Sequence, residues 1–154
     1  MSVASWNSLL RGEGCPFEVP RPESSEHWDK VASLSVSSLY LHRVQTYRGY
    51  CVLVFDPRHA TLLPELSREE REAFVADLCR AQEAIERAVR PDHFNVESLG
   101  NQIPHLHWHI VPRFKNDPRW GLPIWMNTEA EMPRVYLSDT ERVELLKAIR
   151  GHLS

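Results

Sequence analysis

The chain has 154 residues, of which 42% are hydrophobic and 25% charged, proportions that suit one globular domain and indicate neither disorder nor a membrane protein. Eighteen basic residues against twenty-one acidic ones give a formal charge of −3, which argues against general nucleic-acid binding. Three widely spaced cysteines argue against a disulfide framework, and no signal-peptide pattern opens the chain, so we expect a cytoplasmic protein without a membrane partner.

The first 34 residues are rich in glycine and proline and then polar, which predicts an irregular arm rather than a separate domain. Within this arm, Cys15 and Glu18 have the spacing of a Cys-x-x-Cys pair whose second cysteine is replaced. The β-favouring residues 36–41 and the almost continuous apolar run 50–55 predict two strands. The second run is expected to be covered on both faces or central in a sheet.

A long amphipathic helix is predicted over residues 68–89. Ser67 and Glu70 form a capping box before it, and Pro91 ends it. Its apolar stripe consists of Phe74, Leu78, Ala81, Ile85 and Val89. Such a stripe needs a sheet face to cover, and Leu106, Trp108 and Ile110 offer one.

Residues 94–98 are a further strand candidate, followed by a tight connection that favours antiparallel pairing with the next strand. Near the end of the chain, Ser138 and Glu141 form a second capping box. The apolar residues Val143, Leu146, Ile149 and Leu153 then mark a C-terminal helix. Strands and helices segregate along the chain, so the predicted fold class is α+β.

Three histidines, His105, His107 and His109, alternate with apolar residues, which predicts a half-buried strand with all three imidazoles on one face. They could be polar residues on the wet face of a strand. They could bind a metal ion, although three in line spread over ~13 Å and would need a further ligand. The third reading is nucleophilic catalysis by one imidazole, with the other two in support.

Residues 105–111 match the pattern His-φ-His-φ-His-φ-φ at every position, where φ is apolar. The preceding residues 99–104, the following residues 112–114, Asp117-Pro118, Trp120 and residues 123–125 also resemble bacterial histidine triad proteins. The resemblance covers roughly residues 35–126. It leaves residues 1–34 as the arm and 127–154 as a C-terminal extension with a helix, all within one domain.

This resemblance implies an antiparallel five-stranded sheet with one long and one C-terminal helix, usually paired as a homodimer. It also implies an enzyme that needs no cofactor and that hydrolyses or transfers nucleoside monophosphates. The bond is cleaved at the α-phosphate of a dinucleoside polyphosphate or a nucleoside phosphoramidate, through a covalent nucleotidyl-histidine intermediate. The alternatives are a nucleotide-binding regulatory protein with little turnover and a metal-dependent phosphohydrolase.

Carried over to this sequence, the resemblance makes His107 the nucleophile and makes His105 and His109 its orienting and charge-stabilising neighbours. The substrate-binding candidates are Gln102, Asn95, Asn101 and His59. Three of them have a plainer alternative, since Gln102 could be a turn residue, Asn95 a strand cap and His59 a surface loop residue. Trp120 and Trp125 are expected to pack in the core or a dimer rather than stack on a base. Arg113 could lend positive potential to a phosphate pocket, whereas Lys115 is expected to be solvated.

Two departures from the family pattern stand out. Some members hold zinc with a cysteine pair, a histidine at the position of His59 and the first histidine of the triad. Here Cys15, Glu18, His59 and His105 form a conceivable replacement set. Because loss of one thiolate more often means loss of the site, no metal is predicted. The segment 39–45 also lacks the expected ribose-binding carboxylate, leaving His42 and Gln45 as substitutes.

Overall fold

A five-stranded antiparallel sheet with strand order β1-β2-β3-β5-β4 forms the centre of the computed structural model, which describes residues 2–117, 120–126, 128, 130 and 133–153. The strands are β1 (Trp28–Ser33), β2 (Ser37–His42), β3 (Cys51–Phe55), β4 (His93–Glu97) and β5 (His107–Arg113). The helices are α1 (Val3–Leu10), α2 (Arg68–Val89) and α3 (Asp139–Gly151). The predicted α+β fold with an antiparallel five-stranded sheet is confirmed. Within the described residues, no helix combines the length and apolar character needed to cross a membrane.

The prediction of an irregular arm over residues 1–34 is wrong for two segments, because α1 and β1 both lie within it. The hydroxyl of Ser2 caps α1 by accepting a hydrogen bond from the amide of Ser5. The alternation of β1 is hidden in the sequence by Asp29, a charged residue at a buried position. Asp29 is tolerated there because Arg43 and Arg142 both pair with its carboxylate at 3.0 Å.

Both predicted capping boxes are present, at Ser67 before α2 and at Ser138 before α3. The predicted bounds of α2 agree with the structure, and the helix ends at Arg90, which adopts a left-handed conformation with φ +49° before Pro91. In α3, Leu145 and Ile149 are buried. Val143 is exposed, so the prediction that it belongs to the apolar face of this helix is wrong.

The sheet separates two apolar clusters. On one face, α2 and α3 cover the sheet, and Phe74, Ile85 and Ile110 are completely buried between these layers. On the other face, Cys15 and Phe17 from the arm pack over a second cluster from β2, β3 and β5, which contains Tyr40, Val52, Val54 and Val111. All five residues of β3 are buried, as predicted for a strand that is covered on both faces.

The register between β3 and β5 places the histidines. Val54 is paired with His107, and Val52 is paired with His109, so both imidazoles lie on the face covered by the arm. The prediction that the strand begins at His105 is wrong, because β5 begins at His107. The chain at 105–106 instead bonds to the end of β3 and to the residues after it, and the amide of Leu106 donates to the carbonyl of Ala60 at 2.7 Å.

Candidate active site

A cavity of about 640 Å³ opens on the arm-covered face of the sheet, within the size range of small-molecule sites. His107 and His109 lie on its wall. The other lining residues are largely aromatic or come from the loop before β5, and they are Phe17, His27, Trp28, His42, Tyr50, Val52, Leu99, Gly100, Asn101, Gln102, Ile103 and Trp125. The strand, the arm and the 99–103 loop therefore converge on two of the three predicted catalytic histidines.

His107 has a defined proton position. Its Nδ1 atom lies 2.5 Å from the backbone oxygen of His105, and a carbonyl can only accept, so Nδ1 carries the proton. The Nε2 atom consequently keeps its lone pair. Burial lowers the pKa of His107, so the imidazole is neutral near pH 7. A neutral imidazole with a free Nε2 lone pair is a competent nucleophile.

His109 lies next to His107, with 3.1 Å between their Nε2 atoms. Burial lowers its pKa to about 3, and the neighbouring His107 and His42 act in the same direction. Trp125 packs edge-on against the His109 ring with centroids 5.1 Å apart. Trp125 thus lines the cavity and is exposed, so the predicted packing in the core is wrong, whereas packing in a dimer stays a prediction.

His105 is only 1% exposed and lies behind the cavity wall rather than on it. Its Nε2 atom donates to the carbonyl of Phe55 at 2.7 Å, so Nδ1 bears the lone pair. That atom lies 3.6 Å from both the Cys15 sulfur and a Glu18 oxygen. The predicted contact of the His105 side chain with phosphate oxygens is therefore not supported by its position.

Four possible metal ligands meet behind His107. One donor atom from each of Cys15, Glu18, His59 and His105 lies within 4.8 Å of the other three. His59 donates through Nε2 to the carbonyl of Leu10 at 3.2 Å, so both histidines are held at Nε2 by a backbone carbonyl and direct Nδ1 towards the same centre. One sulfur, two nitrogens and one oxygen suit tetrahedral zinc, and four protein ligands are typical of a structural site.

The cluster therefore fits the group that the family resemblance implies, despite the prediction that no metal is bound. Zinc at these residues would fasten the arm to the segment that precedes β5.

The cluster also gives His59 a different position from the one predicted. It bonds to Glu18 and Leu10 and lies outside the cavity wall, so direct contact with a nucleotide is not supported.

The remaining candidates divide into two groups. Asn101 and Gln102 lie on the cavity wall, and so does His42, one of the two ribose candidates. Asn95 lies outside it, because its side-chain oxygen accepts a hydrogen bond from Arg113. Gln45 is buried in the turn between β2 and β3, where its amide donates to the carbonyls of His42 and Tyr50.

Sequence reasoning missed Phe17, Trp28 and Tyr50 as cavity residues. Phe17 and Trp28 belong to the arm, and no local pattern relates the arm to β5. Tyr50 could have been found from strand parity, because it shares the face of Val52, which is paired with His109. Finding it requires the register of β3 against β5, which sequence alone did not supply.

Comparison with known proteins agrees with this architecture. A histidine triad protein from Bradyrhizobium japonicum superposes with a TM-score of 0.75 at 23% identity, over 84% of this chain and 92% of that one. A histidine triad protein from Marinobacter aquaeolei superposes with a TM-score of 0.73 at 22% identity, over 82% of this chain and 89% of that one. A zinc-bound histidine triad family protein from Mycobacterium smegmatis superposes with a TM-score of 0.56 at 15% identity, over 97% of this chain and 91% of that one. Among curated proteins no similar sequence was found.

The structural likenesses establish the fold, and the family is established by sequence. A statistical model of the HIT domain matches residues 31–116, more than half of the chain, and this range contains the β2 and β3 strands, the long helix and the complete histidine pattern. Membership suggests nucleotide binding with hydrolase or transferase activity. On the strength of this match, the chain belongs to the HIT domain family.

Proposed function

We propose that this protein hydrolyses or transfers nucleoside monophosphates through a covalent nucleotidyl-histidine intermediate on His107. The observation that carries the proposal is the hydrogen bond from His107 Nδ1 to the carbonyl of His105, which leaves the Nε2 lone pair on the wall of the cavity. The substrate class is a dinucleoside polyphosphate or a nucleoside phosphoramidate, cleaved at the α-phosphate.

In the first step, the Nε2 lone pair of His107 attacks the α-phosphorus. A phosphorus–nitrogen bond forms, the bond to the leaving group breaks, and the leaving group departs with the bonding pair and takes up a proton from solvent. Water then attacks the same phosphorus in the second step. The phosphorus–nitrogen bond breaks and its electron pair returns to Nε2, so His107 regains its neutral form. The attacking water gives a proton to solvent, and nucleoside monophosphate is released.

The surrounding residues suit the charges and shapes that such a substrate would bring. The amide groups of Asn101 and Gln102 can donate hydrogen bonds to phosphate oxygens from the cavity wall. Phe17 and Trp28 provide aromatic surface of the kind that a nucleobase packs against. The burial that lowers the pKa of His107 favours the neutral imidazole, which is the form that can attack.

The family resemblance also leads us to propose that the protein works in the cytoplasm as a homodimer. Size-exclusion chromatography with light scattering tests the second point directly. A mass of one chain across micromolar protein concentrations would contradict the homodimer.

The test of the activity is release of nucleoside monophosphate from a diadenosine polyphosphate, an adenosine phosphoramidate and a lysyl-adenylate analogue. Wild-type protein should turn over at least one of them, and His107→Ala should lower kcat/KM by a factor of about 10³ or more. His152→Ala, which removes an exposed imidazole near the end of α3, is the matched control and should retain activity.

Quenching with alkaline denaturant and a labelled substrate should trap a base-stable, acid-labile nucleotide adduct in wild-type protein and none in His107→Ala. Equal inactivity of wild type and His107→Ala on every substrate would contradict the proposal. Monophosphate binding without turnover would then indicate a regulatory nucleotide-binding protein. Turnover that required added Mg²⁺ would indicate a metal-dependent phosphohydrolase.

A further inference from the structure

Tyr50 is in contact with His109, the histidine that lies next to His107. Its hydroxyl oxygen lies 2.7 Å from Nδ1 of His109, and its side chain lines the cavity just before β3 begins. The residue is only 8% exposed, so water has little access to compete for this hydrogen bond. Tyr50 therefore approaches His109 on the side of the ring that faces away from His107.

The direction of this hydrogen bond follows from the proton positions along the chain of contacts. His107 carries its proton on Nδ1, so its Nε2 presents a lone pair to His109. The 3.1 Å separation of the two Nε2 atoms needs a proton between them, and His109 must supply it. A neutral His109 with its proton on Nε2 has a lone pair on Nδ1, so the hydroxyl of Tyr50 donates to it.

The position of Tyr50 is fixed by the turn that precedes it. The buried side chain of Gln45 donates to the carbonyl of Tyr50 at 3.1 Å, and its oxygen accepts from the amide of Gly49 at 2.7 Å. Gly49 has a φ of +90°, and an added Cβ would lie 3.0 Å from Val89. On the other side of the phenol, the ring of His42 stacks at 4.7 Å and 19°.

We propose that Tyr50 is a positioning residue for the proposed reaction, which holds His109 in the tautomer whose Nε2–H points towards His107 and the phosphate. The expected effect on turnover rests on the proposed function, whereas the tautomer of His109 follows from the hydrogen bonds alone. In the free protein, the His109 proton is shared with the lone pair of His107. When a phosphate group enters, one of its oxygens can accept the hydrogen bond from Nε2–H of His109. This frees the lone pair of His107 for attack.

Without the hydroxyl of Tyr50, the opposite tautomer of His109 becomes accessible. Its Nε2 would then present a lone pair to the lone pair of His107, and no donor would face the phosphate at that position. Substrate binding depends mainly on the rest of the cavity, whereas this hydrogen bond matters most as charge develops on the phosphate oxygens. The loss should therefore appear in kcat rather than in KM.

The first experiment is ¹⁵N NMR of histidine-labelled wild-type protein near pH 7.5, which distinguishes protonated from lone-pair ring nitrogens. We expect His109 with a protonated Nε2 and a lone-pair Nδ1. A protonated Nδ1 in wild type would overturn the inference without any variant and whether or not the protein turns over a substrate.

The second experiment compares Tyr50→Phe with Tyr40→Phe. Tyr40 is also buried and bonds to Arg21 through its hydroxyl, but it lies outside the cavity wall. Tyr50→Phe should shift the His109 ring-nitrogen signals and lower kcat about tenfold, with KM changed by less than about threefold. Tyr40→Phe should change neither. Unchanged ring-nitrogen signals and kcat in Tyr50→Phe would overturn the inference and leave the proposed function standing.

Discussion

Glu18 and His59 face each other across 3.0 Å, at the position where a Cys-x-x-Cys pair would place its second thiolate beside a histidine. With Cys15 and His105 they complete a four-atom donor set. We expect protein purified without a histidine tag to contain about one equivalent of zinc per chain. Elemental analysis by mass spectrometry measures this content directly.

Cysteine variants provide the control for the zinc prediction. Cys15→Ser should lose most of the metal, whereas Cys79→Ser should keep it, because Cys79 is exposed and far from the cluster in the sequence. Glu18→Cys should bind zinc more tightly than wild type, since it adds a second thiolate. Absence of stoichiometric zinc from both wild type and Glu18→Cys would contradict the assignment of this cluster.

We expect Arg113 to stabilise the fold rather than to contribute positive electrostatic potential to the cavity. Its side chain is 3% exposed, and it pairs with Asp117 at 3.0 Å and donates to the carbonyl of Leu122 at 2.8 Å. Arg113→Ala should lower the free energy of unfolding by about 3 kcal/mol, because it leaves a buried carboxylate without its partner. Lys115→Ala should cost less than about 0.5 kcal/mol, because the Lys115 side chain is 78% exposed. Urea denaturation that gave equal losses for the two variants would contradict this distinction.

Asp77 should be essential to the attachment of α2 to the sheet. It is 1% exposed, and its carboxylate accepts hydrogen bonds from the amides of Ser35 and Val36 and from the hydroxyl of Ser37. Asp77→Ala would leave these three donors without a partner and should lower the free energy of unfolding by roughly 3 kcal/mol.

Glu72 on the same helix is the matched control for Asp77, because its side chain is 65% exposed and pairs with Arg68 on the helix surface. Glu72→Ala should change the free energy of unfolding by less than about 0.5 kcal/mol in the same urea titration. A loss for Asp77→Ala as small as this would mean that the three donors find other partners.

Acid should destabilise the protein through His109. Its pKa is about 3 in the folded chain against an ordinary value near 6.5, so the unfolded chain binds the proton first as the pH falls. The stability that neutral His109 provides is complete above pH 6.5 and is lost progressively as the pH falls towards 3. Between pH 7.5 and 5, His109→Asn should lose roughly 1–2 kcal/mol less stability than wild type.

The control for this pH dependence is His93→Asn, which removes an exposed imidazole from β4. Urea midpoints at the two pH values should change in parallel for His93→Asn and wild type. Parallel loss in His109→Asn as well would show that the acid sensitivity arises elsewhere in the chain.

Much of the fold could be predicted because its signals are local. The Ser67 capping box, the apolar stripe of α2 and the stop at Pro91 all lie within one stretch, and the predicted helix agrees with the structure. The alternation from Leu106 to Ile110 likewise predicted which face of β5 packs against the helices. In contrast, β1 was missed because burial of Asp29 depends on Arg142, which lies 113 positions away.

The site divides along the same line. His107 and Gln102 reach the cavity through local geometry, and sequence reasoning named both. The positions of Asn95 and His59 depend on partners that are remote in the chain, and so the expected nucleotide contacts did not follow. Asn95 is engaged by Arg113, and His59 is engaged by Glu18 and by the end of α1. No pattern within a single segment reports such long-range pairings.

The acceptor that sets the His107 tautomer belongs to the main chain, and it is present whatever side chain occupies position 105. Residue 105 therefore has two separable roles. Its carbonyl sets the tautomer of His107, and its imidazole contacts Cys15 and Glu18 of the arm. Substitution of the side chain at this position would remove the contact with Cys15 and Glu18 of the arm, whereas the proposed nucleophile His107 would keep its proton arrangement as long as the local backbone path survived. The proposed chemistry at His107 and the proposed zinc site can therefore be lost independently of each other.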